Sequence, residues 1–123
     1  MTKQAGFTLI ELVAVLVILA LLGAMAVPRF VDMQTQALEA AKNGTKNAVR
    51  SAHALYIAEN RNPPNIRQLA DYVVADGTVR ATNTGVRVNI DGSNYTVLTY
   101  SDNTCTTATS ARADKVLCVG QIQ

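Results

Sequence analysis

The chain has no tryptophan, only one histidine, and only six phenylalanine and tyrosine residues among its 123 residues. So few aromatic side chains argue against base-stacking platforms and large aromatic ligand cages. The basic residues are dispersed and the net charge is only +2, so no specific nucleic-acid site is evident. No glycine-rich phosphate loop and no nucleophile beside a base can be found, and His53 stands far from any cysteine. We therefore predict no enzyme, and no catalytic, metal or cofactor site.

Cysteine is scarce as well, with only Cys105 and Cys118 in the chain. Twelve residues separate them, so they form no CxxC redox motif, and with one distant histidine they make a poor zinc set. A disulfide in a small extracytoplasmic domain fits this spacing best. Two buried free thiols are the alternative.

Charged residues are absent from Leu12 to Val27, and only Thr8 and Glu11 interrupt the apolar character from Phe7 to Val27. As a helix, these residues would span about 30 Å, enough to cross the hydrocarbon core of a bilayer. A removable secretory signal would have a more basic start and a shorter apolar run with a small-residue cleavage site. A plain membrane anchor explains the length but leaves Glu11 unexplained, because a carboxylate near the bilayer centre costs several kcal/mol.

The stretch GFTLIELVAVLVILALLGAMAVP, from Gly6 to Pro28, resembles the N-terminus of type IV pilins and of the related pseudopilins of type II secretion. The shared features are a short polar leader (residues 1–6), the Gly6–Phe7 junction, Glu11 at the fifth place after that junction, and the apolar helix. The coincidence of leader, junction and carboxylate spacing makes the resemblance specific. A long helix, a small β-rich head and a C-terminal cysteine pair extend it loosely over the rest of the chain.

The resemblance implies that a prepilin peptidase cuts after Gly6 and that the new amino terminus, on Phe7, is N-methylated. It also implies that the inner-membrane assembly machinery polymerises the subunit with other copies of itself through their apolar helices. The Glu11 carboxylate would then pair with the Phe7 ammonium of a neighbouring subunit. A buried charge is tolerated when an opposite buried charge meets it, so Glu11 is expected to set docking and register.

Two signals disagree on which side of the inner membrane the C-terminal part lies before assembly. Lys3 precedes the apolar run, whereas Arg29, Lys42 and Lys46 follow it closely, and the positive-inside rule would place the C-terminal part in the cytoplasm. The cysteines instead favour the oxidising side. We follow the cysteines and expect a single-pass protein with its head in the periplasm, which becomes extracellular once it is part of a filament.

One long helix is predicted from about Thr8 to about Asn60. Its apolar part is residues 7–27, and its amphipathic continuation is residues 28–60. In the continuation, an apolar face for packing against the head is predicted at Leu38, Ala41, Thr45, Ala48, Val49, Ala52, Leu55 and Tyr56. The opposite face, with Glu39, Asn43, Lys46, Arg50 and His53, is expected to be solvated.

Gly23 and Pro28 are the weak points of this helix. Proline has no N–H and crowds the preceding turn, and glycine costs about 1 kcal/mol relative to alanine. Related pilins lose helix in this region on assembly, so the resemblance implies that residues 23–28 open when subunits pack into a fibre.

The remaining residues, 61–123, are predicted to form a globular β-rich head with a C-terminal disulfide loop. Asn65 is expected to cap a short helix from Ile66 to about Val74. The segments VRVNI and YTVLTY predict a hairpin around a four-residue loop, DGSN, and KVLCVGQI (115–122) predicts a last strand. Major pseudopilins bind calcium in this general region, but we interpret DGSN and SDN (101–103) as turns.

The expected fold is therefore α+β, with a long N-terminal helix packed against a small antiparallel sheet of three or four strands, as in pilins. The expected function is that of a structural subunit of a type IV pilus, a cell-surface filament for adhesion, motility or DNA uptake. The alternative is a pseudopilin of a type II secretion or DNA-uptake machine. A membrane-anchored binding module that never polymerises is a third possibility, and it would retain residues 1–6.

Overall fold

The computed structural model of the chain describes residues 6–123, so the predicted leader lies outside the described residues except for Gly6. The chain divides into two compact units, one ending at Ala37 and the other running from Leu38 to Gln123. The fold is α+β: a long helix, a short helix and one four-stranded antiparallel sheet. The predicted fold class is confirmed.

Helix α1 runs Leu9–Asn60, which confirms the predicted long helix. It ends where Arg61 takes a left-handed conformation with φ 52°, and the Arg61 N–H donates to the carbonyl of Ile57 at 2.8 Å. Such a left-handed residue satisfies one of the last helix carbonyls. Pro63 and Pro64 follow and prevent the helix from resuming.

Helix α2 runs Ile66–Tyr72 and ends two residues before the predicted end at Val74. Asn65 and Gln68 form a reciprocal capping box, because the Asn65 side chain accepts from the Gln68 N–H and the Gln68 side chain accepts from the Asn65 N–H, each at 2.9 Å. These bonds satisfy two of the four free N–H groups at the helix start. The helix stops at Val73, which is extended.

The sheet consists of β1 (Val79–Ala81), β2 (Gly85–Ile90), β3 (Ser93–Tyr100) and β4 (Cys118–Ile122), paired in that order. The predicted hairpin of β2 and β3 is confirmed, but its four-residue loop is wrong. Ile90 pairs with Ser93, which leaves a two-residue turn at Asp91 and Gly92. Both have positive φ, 50° and 78°, as a type I′ turn requires.

The last strand begins at Cys118 and not at the predicted Lys115. The reason is that the preceding residues have other backbone partners. Lys115 forms an isolated bridge with Asn65, and the Val116 N–H donates to the Pro64 carbonyl at 2.8 Å. This segment therefore connects β4 to the start of α2.

The core of the unit Leu38–Gln123 is made by residues from both helices and all of the longer strands. It comprises Val49, Ala52, Ile66, Leu69, Val73, Val86, Val88, Val97, Val116 and Val119. Of the predicted apolar face of α1, only Val49 and Ala52 are buried, while Leu55 is 52% exposed. The predicted face was too wide because so small a sheet covers only a narrow stripe of the helix.

Candidate assembly surface and family

The described residues before Leu38 bear an apolar surface that nothing in their own unit covers. Phe7 is 90% exposed and Leu9 is 82% exposed, and even the least exposed large apolar side chain between Phe7 and Met33, Val13, is 47% exposed. Soluble monomers rarely leave such a surface open to water. In the described part of the chain, α1 is the one helix long and apolar enough to cross a membrane. This surface therefore requires lipid or other protein chains around it.

Glu11 lies at the start of α1, where it forms a capping box with Thr8. The Thr8 N–H donates to Glu11 Oε2 at 2.8 Å, and the Glu11 N–H donates to Thr8 Oγ1 at 3.3 Å. The pattern Thr-x-x-Glu before an apolar run is a sequence signal of a helix start, and sequence reasoning missed it. The carboxylate thus already satisfies one helix N–H group within its own chain.

Gly6 and Phe7, the residues of the predicted cleavage junction, precede the helix and are exposed. A Cβ at Gly6 would meet no atom within 4 Å, so no contact in the described residues requires glycine there. Glu11 follows Phe7 by four residues and lies in the first turn of α1.

The two predicted weak points lie within an unbroken helix. Pro28 is inside α1, and Gly23 has open space around it. The single chain is therefore helical at both positions, and the opening of residues 23–28 on assembly stays a prediction.

The disulfide between Cys105 and Cys118 is present, with their Cα atoms 5.5 Å apart. It joins the first residue of β4 to the loop that follows β3. Cys105 takes a left-handed conformation with φ 55°, so the loop reverses direction at the cross-link. The predicted bond is confirmed, and both cysteines of the chain are used.

Two aspartates organise the loop between β3 and β4. The Asp102 carboxylate accepts from the N–H groups of Thr106 and Thr107 and from the hydroxyls of Thr104 and Thr106. These bonds, led by the one from Thr104, hold the pKa of Asp102 well below its ordinary value. Asp114 similarly accepts from the N–H groups of Ser110 and Ala111, which lowers its pKa.

Within residues 6–123, no group of three or more histidine, cysteine, aspartate or glutamate side chains is placed to hold a metal ion. The SDN segment instead makes the turn just described, and DGSN contains the turn between β2 and β3.

The polar face of α1 is not simply solvated. That expectation was wrong for Lys46 and His53, which are half-buried, whereas Arg50 is exposed. His53 Nε2 lies 2.8 Å from the Val116 carbonyl, and Arg50 donates to the Val119 carbonyl at 3.5 Å. Lys46 donates to the Gln121 side chain at 3.2 Å. β4 is an edge strand. Arg50 contacts the carbonyl of Val119, within β4, and His53 contacts the carbonyl of Val116, just before it. Both carbonyls would otherwise be open to pairing with another strand.

Comparison with known proteins agrees with these features. The prokaryotic N-terminal methylation motif matches residues 1–27. The chain is 40% identical over 112 residues to the type IV narrow pilus major component PilA5 of Thermus thermophilus, which covers 91% of this chain and 84% of that protein. It is 34% identical over 76 residues to the type II secretion system core protein G of Pseudomonas aeruginosa, covering 62% of this chain and 54% of that protein.

No solved structure gives a significant match to the chain. The identity with the Thermus protein nevertheless extends well beyond the N-terminal motif and over most of both chains. Together with the apolar helix, the antiparallel sheet and the disulfide, it establishes that this chain belongs to the type IV pilin family.

Proposed function

We propose that the chain is a structural subunit of a type IV pilus and that it polymerises through its apolar N-terminal helix into a cell-surface filament. The observation that carries the proposal is the apolar surface from Phe7 to Met33, which is exposed along its whole length. The relative with which the chain shares 40% identity is named as a major pilus component. A filament core of neighbouring helices would cover this surface, as lipid would before assembly.

Processing at the Gly6–Phe7 junction is the first step of the proposed pathway. A prepilin peptidase removes residues 1–6, and methylation of the new amino terminus follows on Phe7. The match of residues 1–27 to the methylation motif supports this step. Until assembly the chain is held in the inner membrane by residues 7–27, with its head in the periplasm, where an oxidising environment suits the disulfide.

Docking is the second step, and it gives Glu11 a role beyond capping. In a filament core the carboxylate is removed from water, and burying it alone would cost several kcal/mol. The Phe7 ammonium of a neighbouring subunit supplies the opposite charge. Because an unpaired carboxylate is costly in any other alignment, the pair selects the register in which subunits join.

Two substitutions at Glu11 separate docking from helix capping. Glu11→Gln keeps an acceptor for the Thr8 N–H and hence the capping box, but it removes the charge. Glu11→Val removes both. We expect both variants to accumulate in the membrane and to yield few filaments, measured as sheared filaments relative to membrane-bound subunit. Normal filament yield from Glu11→Gln would assign Glu11 to capping alone and refute the docking role.

A pseudopilin role is the second candidate, because part of the chain is 34% identical to a type II secretion protein. Pseudopilins form short periplasmic structures, whereas pilins form long surface fibres. Electron microscopy of cells labelled with antibody to this chain distinguishes the two, since the proposed function requires long labelled surface filaments. Mass spectrometry of those filaments should find a subunit that begins at a methylated Phe7. A filament subunit that retains residues 1–6 would refute the processing step.

A further inference from the structure

A groove of about 520 Å³ lies on the helix side of the sheet, at the end where β2 turns into β3. Its lining is mostly small or apolar and includes Ala41, Gly44, Ala48, Val74, Val88 and Ile90. Val74 is 90% exposed, although a valine gains by being covered. The groove is therefore a concave surface that can accept an aliphatic chain.

Two carboxylates, Asp76 and Asp91, also line this groove. Neither has a cationic partner in the described chain, since the one salt bridge among residues 6–123 joins Lys42 to Glu39. A groove with an apolar lining and two free carboxylates suits a ligand with an aliphatic stem and a cationic head. Arginine and lysine side chains have this construction.

An arginine pair lies on the other face of the same sheet. Arg87 lies between Val86 and Val88, which are buried in the core, so the alternation of the strand directs Arg87 away from the core. Arg80 of β1 is directly opposite Arg87 in the ladder. The Cβ atoms of such partners are about 5 Å apart, and like charges there are destabilising.

This repulsion is not relieved within the described chain. Arg80 and Arg87 are exposed, and neither lies within salt-bridge distance of a carboxylate among residues 6–123. Several other basic side chains of the head already have partners. Lys42 lies 4.5 Å from the centre of the Tyr95 ring, Arg50 donates to Val119, and Lys115 donates to Asn62.

We propose that the Asp76–Asp91 groove of one copy receives the Arg80–Arg87 pair of a second copy. The numbers of charges match, and the arginine stems can cover the apolar lining while the guanidinium groups form hydrogen-bonded ion pairs with the carboxylates. Because the groove and the arginine pair lie on opposite faces of one sheet, they cannot meet within one molecule.

The same arrangement determines the symmetry of the contact. Each copy offers a different surface to each of its two neighbours, so the interface is heterologous and can repeat without closing. Such a contact suits an open filament, and in this respect the inference rests on the proposed function. The proposed interface adds a contact between heads to the contact between apolar helices, and it selects which neighbouring heads touch.

Charge exchange in the full-length chain tests the proposal. The groove variant is Asp76→Arg with Asp91→Asn, because asparagine keeps the left-handed conformation that the turn needs. The arginine variant is Arg80→Glu with Arg87→Glu. Each should lower the yield of sheared filaments about tenfold, since like charges then face each other across the interface. The chain carrying all four substitutions should recover to within about twofold of the unsubstituted chain, because opposite charges meet again.

A matched control excludes an effect of net charge. The control variant, Arg67→Glu with Arg112→Glu, changes the net charge by the same amount as the arginine variant. It does so at two other exposed residues of the head. Alone it should leave the yield unchanged, and it should not rescue the groove variant. Tyrosine near-ultraviolet circular dichroism of each detergent-extracted variant verifies that the head is folded.

Three outcomes would overturn the inference: folded variants that assemble normally, a fourfold-substituted chain that stays deficient, and equal rescue by the control pair. In each case the unsubstituted chain still forms filaments, and the proposed function stands. If the unsubstituted chain forms no filaments, the proposed function fails instead.

Discussion

Removing the disulfide should destabilise the head strongly while leaving the apolar helix intact. The cross-link joins residues 13 apart in sequence. For a loop of this size, the chain-entropy model gives a stabilisation of about 3 kcal/mol. One kcal/mol shifts the melting temperature of a domain of 60–100 residues by roughly 4–8 °C, so the head should melt about 12–24 °C lower without the bond.

The variant for this test is Cys105→Asn with Cys118→Ala. Asparagine tolerates the left-handed conformation observed at Cys105 better than most residues, so the backbone is not strained by the change. All four tyrosines of the chain, Tyr56, Tyr72, Tyr95 and Tyr100, lie in the unit Leu38–Gln123. Their near-ultraviolet circular dichroism therefore reports on that unit alone in the detergent-extracted full chain.

The unsubstituted chain treated with reductant is the matched comparison and should melt at the temperature of the variant. Leader removal should be unaffected, because the cleavage junction is in the other unit. A variant that melts within about 4 °C of the oxidised protein would correspond to less than about 1 kcal/mol and would refute the cross-link as a major source of stability.

Three further predictions concern the core, the loop and the helix. Val49→Ala should lower the free energy of unfolding by about 2 kcal/mol, because Val49 is fully buried, while Val74→Ala should change it little in the same thermal melts. Because the pKa of Asp102 is lowered from 3.8, its contribution to the stability of the loop should be complete above pH 3.8, decline below that pH, and be lost only as the pH falls through the lowered pKa of the folded state. The protection of the Thr106 N–H against hydrogen exchange, relative to its intrinsic rate, should fall accordingly in the unsubstituted chain, and Asp102→Asn should abolish this pH dependence. Residues 23–28 should open on assembly, and a filament map with unbroken helix there would contradict this.

The elements that sequence could predict are those whose signals are local. The long helix follows from its periodicity and from the Pro63–Pro64 stop, and the start of α2 follows from its cap, Asn65. The hairpin strands follow from their alternation. The hairpin loop was predicted two residues too long, because the positive φ of Asp91 and Gly92 permits a tighter turn than composition alone reveals.

The contacts that sequence could not predict depend on which distant segments meet. Strand β1 has only three residues, too few for an alternating pattern, and it is a strand because β2 offers it an edge. His53 and Arg50 looked solvated because their carbonyl partners lie more than sixty residues away. The capping box at Glu11 is by contrast a local signal, Thr-Leu-Ile-Glu, although only a docking role was predicted for this residue.

The most direct test of the central claim is a cryo-electron microscopy map of filaments assembled from this chain. Residues 7–33 should form the inner layer, with the heads outside, and each Glu11 carboxylate should lie within hydrogen-bonding distance of the Phe7 amine of a neighbour. A map in which the apolar helices face solvent, or in which Glu11 is buried with no cation beside it, would refute assembly through these helices with Glu11 as the docking residue.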